Sequence, residues 1–383
     1  MVVWADVLIK CEGNKMILTK INYHENKDKD DFWEIKDVNL AQLNLIIGLN
    51  ATGKSRLMKV INGLHIILSK KVKLNSGNWF VEIKDPITDV SYEYKLEIND
   101  NIIALEEITK NGKTILKREN ESGEIYSDTQ GKMVKFSPPK DGLTINVRRD
   151  VKEHPFLEDL LKWSGNFYGF SFSGVEPSRI KIPYSPETLL EGLESVPFLL
   201  EKILENNAIE SSIIEAFTTI GYPIDNISIG KRKVPGSLME FPVSLIKEIG
   251  LSCVTEQANM SQGMYRALSL VVIIQYLISL DKECTIVIDD LGEGLDFERS
   301  SKITKWLFET LRNSKIQLIA TSNDRFLINS VDLECINILE RNGHVVESFN
   351  YYNNKERFDE FKFMGLNNFD MLSGIMYKDW TDN

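Results

Sequence analysis

The stretch LNLIIGLNATGKSRLMKVING, residues 43–63, decides the fold of this 383-residue chain. An apolar run stops at Gly48, and Gly53, Lys54 and Ser55 follow before an apolar pattern at helical spacing begins. Backbone N–H groups that turn inward in such a loop form an anion nest, and glycine permits the dihedral angles that this requires. The helix that follows adds unpaired N–H groups and the positive end of its dipole. The stretch therefore predicts a strand, a phosphate-binding loop and a helix.

The residues of this glycine loop, 48–55, fit the pattern G-x-x-x-x-G-K-S. In that pattern the lysine, here Lys54, neutralises the β- and γ-phosphates of a nucleotide, and the hydroxyl of Ser55 ligates Mg²⁺. A glycine-rich helix start with an unrelated lysine is the alternative interpretation. The apolar strand before the loop and the amphipathic helix predicted over 53–69 are the context that the pattern requires, so they favour phosphate binding.

A second element is CTIVIDDLGEGLD, residues 284–296, an apolar strand that ends in two acids, Asp289 and Asp290. A carboxylate at the tip of a buried parallel strand lies at the ligand-binding edge of an α/β sheet. We expect Asp289 to hold Mg²⁺, directly or through water, and Asp290 to position the attacking water. An acidic loop after a core strand is the alternative, and the presence of the glycine loop argues against it.

A third element is NMSQGMYRALSLVVIIQYL, residues 259–277, in which Ser261 stands just before a helix predicted over 263–280. The simpler interpretation is that Ser261 is only the N-cap of this helix. The alternative is a second phosphate sensor, in which a hydroxyl, a glycine N–H and the helix dipole point at an anion. Because this helix shortly precedes the acidic strand, we expect Ser261 to serve the nucleotide of a partner chain.

Together and in this order, the three elements resemble ABC-type P-loop ATPases. GLNATGKS is similar to the Walker A motif of that family, MSQGMYRAL to a variant signature motif, and IVIDDLGEGLD to Walker B followed by the D-loop. Asn50 is typical of the branch that contains chromosome-maintenance, recombination-repair and OLD-type nuclease ATPases. TSNDRF, residues 321–326, and the tail segment FKFMGLNNFDMLSG, residues 361–374, resemble compact bacterial AAA-family ATPases found beside defence or toxin genes.

The resemblance implies an α/β fold, an ABC-ATPase-like P-loop NTPase with a β-rich insert in lobe I and a helical lobe II. It also implies that two heads face each other head to tail with ATP and Mg²⁺ between them. Asp290 stands where the family has a catalytic glutamate, and Asn323 stands at the place of its switch histidine. The implied nucleotide contacts are Gly48, Asn50, Ala51, Thr52, Gly53, Lys54, Ser55, Arg56, Ser261, Gln262, Gly263 and Asp296, with Asp290, Lys54 and Asn323 catalytic and Ser55 and Asp289 on the metal.

The domain organisation follows from changes of pattern along the chain. We expect the first part of lobe I over 1–77, an antiparallel β insert over 78–150, a mainly helical lobe II over 151–260, the signature, Walker B and switch elements over 261–345, and a tail over 346–383. We expect this tail to dock on the core or on a partner through its apolar side chains, which are Phe358, Phe361, Phe363, Phe369, Met371 and Trp380. Within these ranges we predict short strands over 1–47, the first of them VLIK at residues 7–10, and helices over 154–220. Strands over 284–288, 316–320 and 335–339 then alternate with helices over 297–313 and 325–330. Fully apolar strands in such an alternation predict a parallel sheet covered on both faces.

Charge and composition exclude several classes of protein. The net charge of −11 does not favour a strongly basic nucleic-acid-binding surface. No apolar run approaches the roughly 20 residues of a membrane span, and the first residues lack a secretory signal. The four cysteines and four histidines are dispersed, so we expect reduced, buried thiols and no cysteine or histidine metal cluster. These features predict a cytoplasmic protein without membrane contact.

The leading functional hypothesis is an ATPase that dimerises on ATP and regulates a separate effector or toxin protein, in anti-phage defence. The motivation is a complete nucleotide site without a second catalytic centre. One alternative is a DNA-repair or chromosome-type ATPase that clamps duplex DNA. The short basic runs Lys70–Lys73, Arg148-Arg149 and Lys231–Lys233 keep it open, whereas the charge and the missing coiled coil oppose it. Another is an ATP-sensing scaffold with little hydrolysis, motivated by Asp290 and Asn323. The β insert is either purely architectural, the interpretation we favour, or contacts an anionic partner through Lys117-Arg118 and Arg148-Arg149.

Overall fold

The computed structural model describes residues 16–69, 76–183, 190, 192–204, 206–233 and 239–373. Within this part of the chain, one sheet has fourteen strands and another has three, and helices pack on both. The predicted strand VLIK, residues 7–10, lies outside the described residues.

The strands and helices are numbered in chain order. The strands are β1 (Ile17–Glu25), β2 (Trp33–Asn39), β3 (Leu43–Ile47), β4 (Gly77–Lys84), β5 (Ser91–Asn99), β6 (Ile102–Lys110), β7 (Lys113–Glu119), β8 (Ser122–Ser127), β9 (Lys132–Phe136), β10 (Phe167–Ser171), β11 (Ile224–Lys233), β12 (Glu240–Glu248), β13 (Thr255–Glu256), β14 (Cys284–Asp289), β15 (Ile316–Thr321), β16 (Ile336–Asn342) and β17 (Val345–Asn350). The helices are α1 (Lys54–Ser69), α2 (Thr144–Val147), α3 (Pro155–Gly165), α4 (Val196–Ile203), α5 (Asn207–Ile220), α6 (Gln262–Ser279), α7 (Phe297–Arg312), α8 (Arg325–Ile328), α9 (Lys355–Phe363) and α10 (Asn368–Ser373).

The large sheet has a parallel half and an antiparallel half. Its order is β10-β14-β15-β3-β16-β17-β2-β1-β4-β5-β6-β7-β8-β9. The first five strands run parallel to one another, whereas β4 to β9 form an antiparallel meander that extends lobe I. The carboxyl ends of β3, β14 and β15 therefore meet at one edge, which is where α/β sheets bind ligands.

The parallel half is covered on both faces. In β3 every residue is buried, with Leu45 and Ile47 in the hydrophobic cluster that includes α6, and Ile46 in the cluster that includes α1. Every residue of β15 is also buried. Strands buried on both faces have no polar alternation, which is why these two are mainly apolar, with Asn44 and Gln317 buried among the apolar residues.

The antiparallel half alternates instead. In β5, Tyr92, Tyr94, Leu96 and Ile98 are buried and the residues between them are more exposed. This half also contains a fully buried ion pair between Arg118 and Glu106, whose guanidinium and carboxylate atoms are 3.4 Å apart. The hypothesis that Arg118 contacts an anionic partner is therefore wrong, because its side chain has no exposed surface.

Most predicted elements around the glycine loop and the acidic strand are confirmed within one or two residues, including α1, α6, α7, β14 and β15. The prediction that residues 154–220 are helical is wrong in part, because β10 lies inside this range and pairs in parallel with β14. Lobe II, expected to be mainly helical over 151–260, also contains an antiparallel hairpin of β11 and β12.

The tail packs on the body of the protein. Phe358, Phe361 and Met371 are buried in the same cluster as α6. The expectation fails for Phe363, whose exposed fraction is 94%, and Trp380 lies outside the described residues. The prediction of buried thiols also fails for Cys253, which is exposed. No helix among the described residues is long and apolar enough to span a bilayer.

Candidate functional site

The glycine loop joins the carboxyl end of β3 to the first turn of α1. A Cβ atom at Gly48 would lie 2.7 Å from the carbonyl oxygen of Leu339 and 2.7 Å from Oγ1 of Thr52, so a side chain does not fit there. Ala51 and Gly53 have φ angles of 65° and 102°. Left-handed residues on either side of Thr52, followed directly by the start of α1, are the kind of backbone geometry that forms an anion nest.

Lys54 lies inside this loop with an exposed fraction of 7%. Its Nζ donates hydrogen bonds to the carbonyl oxygens of Gly48, at 2.8 Å, and Leu49, at 3.0 Å. Burial lowers the pKa of Lys54, and the nearby carboxylates of Asp290 and Asp289 act against that shift. An ammonium that is partly desolvated and held inside the glycine loop has the position and charge to bind a phosphate.

The hydroxyl of Ser55 and the carboxylate of Asp289 meet across the sheet edge. Ser55 Oγ donates to Asp289 Oδ1 at 3.3 Å, although the two residues are 234 positions apart in the chain. A hydroxyl and a carboxylate beside a phosphate-binding loop are the hard oxygen ligands that Mg²⁺ prefers, and Mg²⁺ usually completes its coordination with water and substrate phosphates. These two side chains therefore fit the metal that the sequence predicts.

Asp290 follows Asp289 in a left-handed conformation, with a φ of 57°. Burial, the neighbouring carboxylate of Asp289 and that of Glu293 raise the pKa of Asp290, while Lys54 lowers it. A carboxylate with a raised pKa at the mouth of a phosphate site suits a general base, because catalytic pKa values lie closer to the operating pH than ordinary ones.

Asn323 reaches the glycine loop from the end of β15. Its Nδ2 donates to Oδ1 of Asn50 at 3.1 Å. The next residue, Asp324, caps α8 and accepts a hydrogen bond from Ser300 on α7 at 2.7 Å, which fixes the turn that carries Asn323. The structure thus brings the glycine loop, both acids and Asn323 to one edge of the sheet.

Arg56 points to a different place. Its guanidinium lies 4.1 Å from the centre of the Trp33 ring and pairs with Glu25. Both partners belong to the hairpin of β1 and β2. The side chain of Arg56 therefore fastens the first turn of α1 to this hairpin.

The remaining predicted residues form a separate surface. Ser261 is the N-cap of α6, and its Oγ accepts a hydrogen bond from the backbone N–H of Met264 at 3.2 Å. Asp296 caps α7 in the same way, through the backbone N–H of Arg299 at 3.0 Å. Both line a groove of about 710 Å³. The lining residues are Tyr222, Glu248, Thr255, Asn259, Met260, Ser261, Gln262, Gly263, Met264, Gly294, Asp296 and Arg299.

Close packing ties the start of α6 to the loop after β14. A Cβ atom at Gly263 would lie 2.7 Å from the carbonyl oxygen of Gly294. Arg266, one turn further along α6, donates to the carbonyl oxygen of Glu293 at 2.7 Å. No residue of the glycine loop, 48–55, lines the groove. The two predicted phosphate-contacting surfaces of the chain therefore consist of different residues.

Two residues of this region were not predicted from the sequence. Thr321, the last residue of β15, donates to Asp289 Oδ1 at 2.7 Å and accepts from the N–H of Asp290 at 2.9 Å. Arg266 is almost completely buried although it is charged. The sequence held a local indication of each residue. Thr321 is a hydroxyl residue at the tip of a buried strand, and Arg266 is the one charged residue of α6.

Comparison with solved structures identifies the architecture. The chain is similar to an Smc head bound to the C-winged helix domain of ScpA, with 13% identity, a TM-score of 0.53, and coverage of 88% of this chain and 99% of the other. It is also similar to an Smc head domain with an extended coiled coil, bound to the C-terminal domain of ScpA, from Pyrococcus furiosus, with 12% identity, a TM-score of 0.52, and coverage of 91% and 100%.

These similarities confirm the predicted fold class, the α/β fold of ABC-type ATPase heads. No family model matches the chain, and no curated protein matches it. At 12–13% identity, these similarities establish the fold alone.

Proposed function

We propose that this chain binds ATP with Mg²⁺ on its glycine loop, hydrolyses it, and closes head to tail with a second copy around the nucleotide. One observation carries the proposal. Lys54, Ser55, Asp289 and Asp290 come from distant parts of the sequence and converge at one sheet edge, while Ser261 and Asp296 line a separate groove. A nucleotide on the loop leaves its outer side open, and the groove of another copy has the groups to cover it.

The residues of the loop have distinct roles in this proposal. The ammonium of Lys54 exchanges its two carbonyl partners for phosphate oxygens, and the N–H groups at the start of α1 bind the same anion. Ser55 and Asp289 hold Mg²⁺, which neutralises charge on the phosphates. Asp290 orients the attacking water and accepts its proton, and the amide of Asn323 donates a hydrogen bond to the terminal phosphate.

Residues of the groove act on the nucleotide of the other copy. The hydroxyl of Ser261, the N–H of Gly263 and the N-terminal end of α6 together form an anion site. Gln262 is exposed beside them. Asp296, at the start of α7, lies on the same surface and so contacts the opposing chain when the two heads close.

The biological role that we favour is regulation of a separate effector or toxin protein by this ATP-driven closure, in defence against phage. The motivation is that the nucleotide site already accounts for the acids at the sheet edge, so the effector chemistry is assigned to another chain. The described residues hold no cluster of three or more histidines, cysteines or acids suited to a metal-dependent nuclease centre. If the purified protein alone cut DNA or RNA, the assignment of effector chemistry to another chain would fail.

A second candidate is a clamp on duplex DNA, which the likeness to Smc heads favours. The net charge of −11 and the buried position of Arg118 weigh against a broad DNA-binding face. Binding to duplex DNA that weakens steeply with salt would support the clamp. The absence of binding at low salt with ATP present would remove it.

The experiment for the central proposal is ATP turnover per chain, measured as protein concentration rises, with and without duplex DNA. Turnover that climbs and then saturates is expected for a site completed by two copies. Lys54→Ala should abolish it, because the ammonium is the main positive charge on the loop. Turnover that the Lys54 variant retains would refute the assignment of the site, and binding of ATP without turnover would favour an ATP-sensing scaffold.

A further inference from the structure

Thr321 ends a fully buried strand in which Gln317 is the other polar residue. Thr321 is completely buried at the tip of β15, between β14 and β3. A buried hydroxyl costs free energy unless it is hydrogen-bonded, so the hydrogen-bond partners of Thr321 indicate its role. Both hydrogen bonds of its hydroxyl go to the two acids of the candidate site.

The hydroxyl of Thr321 acts as donor and acceptor at once. It donates to Oδ1 of Asp289 at 2.7 Å, the same oxygen that faces Ser55, and it accepts from the backbone N–H of Asp290 at 2.9 Å. The carbonyl oxygen of Thr321 accepts from the N–H of Leu291 at 2.8 Å. One residue of β15 therefore fixes three consecutive residues at the end of β14.

The middle residue of these three needs such a support. Asp290 has a φ of 57°, and a residue other than glycine in the left-handed region costs about 1–2 kcal/mol. Its carbonyl oxygen accepts from the N–H of Glu293 at 3.1 Å, which closes a turn, but only Thr321 Oγ1 accepts from its own N–H among the hydrogen bonds of the described residues. Without that acceptor, the unfavourable conformation loses its anchor to the sheet.

Neighbouring hydroxyl groups do not duplicate this role. Ser322 Oγ donates to the carbonyl oxygen of Leu291 at 3.0 Å, one residue beyond the two acids. Ser171, which pairs in register with Asp289 from β10, accepts instead from the N–H of Ser173 at 3.2 Å.

We propose that Thr321 is a positioning residue for ATP hydrolysis. It aims the carboxylate of Asp289 at Ser55 and holds Asp290 in the left-handed conformation that places its carboxylate at the mouth of the glycine loop. This inference rests on the function proposed above. It adds a residue that contacts neither nucleotide nor metal and acts through both acids.

The test compares three variants of the full chain. Thr321→Val removes the hydroxyl and keeps the shape, and Thr321→Ser restores the hydroxyl. Thr304→Val is the matched control, since Thr304 is also completely buried and donates one hydrogen bond, at 2.8 Å, to the carbonyl oxygen of Ser300 within α7. Each variant is assayed for turnover, for ATP affinity with Mg²⁺ and with EDTA, and for hydrogen exchange of the Asp290 amide.

We expect Thr321→Val to lower kcat by tenfold to about a hundredfold, the scale of a misplacement of about 1 Å at a reacting group. Its ATP affinity in EDTA should stay the same, whereas the gain in affinity on adding Mg²⁺ should be lost. The Asp290 amide should exchange faster in this variant alone. Thr321→Ser should recover most of kcat and the slow exchange, and Thr304→Val should leave all four quantities unchanged.

Three results would overturn the inference. These are unchanged exchange of the Asp290 amide in Thr321→Val, equal defects in the valine and serine variants, or the same defects in Thr304→Val. Failure of the proposed function looks different, because then the unmodified protein neither binds nor hydrolyses ATP. In that case the exchange measurement still decides whether Thr321 holds Asp290.

Discussion

Gly48 offers the sharpest test of the glycine loop. A Cβ atom there would lie 2.7 Å from a backbone oxygen, that of Leu339 in β16, and 2.7 Å from Thr52 Oγ1. The oxygen of Leu339 cannot retreat, because β16 is paired with β3 on one side and β17 on the other. The loop must therefore move by several tenths of an ångström, and overpacking of this kind costs about 1–3 kcal/mol.

Gly63 provides the control for Gly48→Ala. It lies in the middle of α1, and a Cβ atom there would have no heavy atom within 4 Å. Alanine in a helix interior is more stable than glycine by about 0.5–1 kcal/mol, so Gly63→Ala should raise the free energy of unfolding. The two variants should thus differ by about 1.5–4 kcal/mol in that free energy.

The assay is urea unfolding by linear extrapolation, combined with ATP binding. Gly48→Ala should also weaken ATP binding by at least about tenfold, or 1.4 kcal/mol, since the displaced loop no longer presents its N–H groups together. Gly63→Ala should bind ATP like the unmodified protein. If Gly48→Ala were as stable as the unmodified protein and bound ATP equally well, the close packing of the loop against β16 would not govern its shape.

Three other perturbations have defined outcomes. Asp290→Asn should abolish turnover yet stabilise the protein at neutral pH. Because the pKa of Asp290 is raised in the folded protein, its favourable contribution to folding is complete below the usual pKa of aspartate and is lost as the pH rises through the raised value. The increase in thermal stability that the asparagine causes at neutral pH should therefore shrink toward acidic pH. Arg118→Ala leaves the carboxylate of Glu106 buried without its cation and should cost about 3–5 kcal/mol in urea unfolding, and a cost below 1 kcal/mol would contradict the buried pair. Phe358→Ala should cost about 3–5 kcal/mol because the ring is fully buried, whereas Phe363→Ala should change stability by less than about 0.5 kcal/mol, and equal effects would show that the tail does not pack as described.

The elements that could be predicted from the sequence are those whose signals are local. The glycine loop is continuous in the chain, and the strands β3, β14 and β15 are mainly apolar because they are buried on both faces. Asp289 and Asp290 could be placed at the ligand-binding edge of the sheet because they stand at the end of one of these buried strands. The resemblance to ABC-type ATPases added the expected fold class and the expected roles of the residues that follow these strands.

Features that depend on distant partners could not be predicted. The segment FYGFS, residues 167–171, lies inside the range predicted to be helical, yet it forms β10 because it pairs with β14. Its Gly169 lies close to α1, where Asn62 Oδ1 is 2.6 Å from the position of a Cβ atom. Arg118 looked like a surface cation in an alternating strand, and Glu106 on the neighbouring strand makes its burial tolerable. The hydrogen bonds of Thr321 join residues 31 and 32 positions apart.

The central claim is that two copies complete each nucleotide site, and mixed dimers test it most directly. Lys54→Ala and Ser261→Arg chains, co-expressed with different tags, can be purified as a heterodimer. One of its two sites then combines the intact glycine loop of the Ser261 variant with the intact Ser261 of the other chain. We predict that each variant alone is inactive and that the heterodimer regains about half of the turnover of the unmodified dimer. An inactive heterodimer of folded chains, or full turnover by Ser261→Arg alone, would contradict the account.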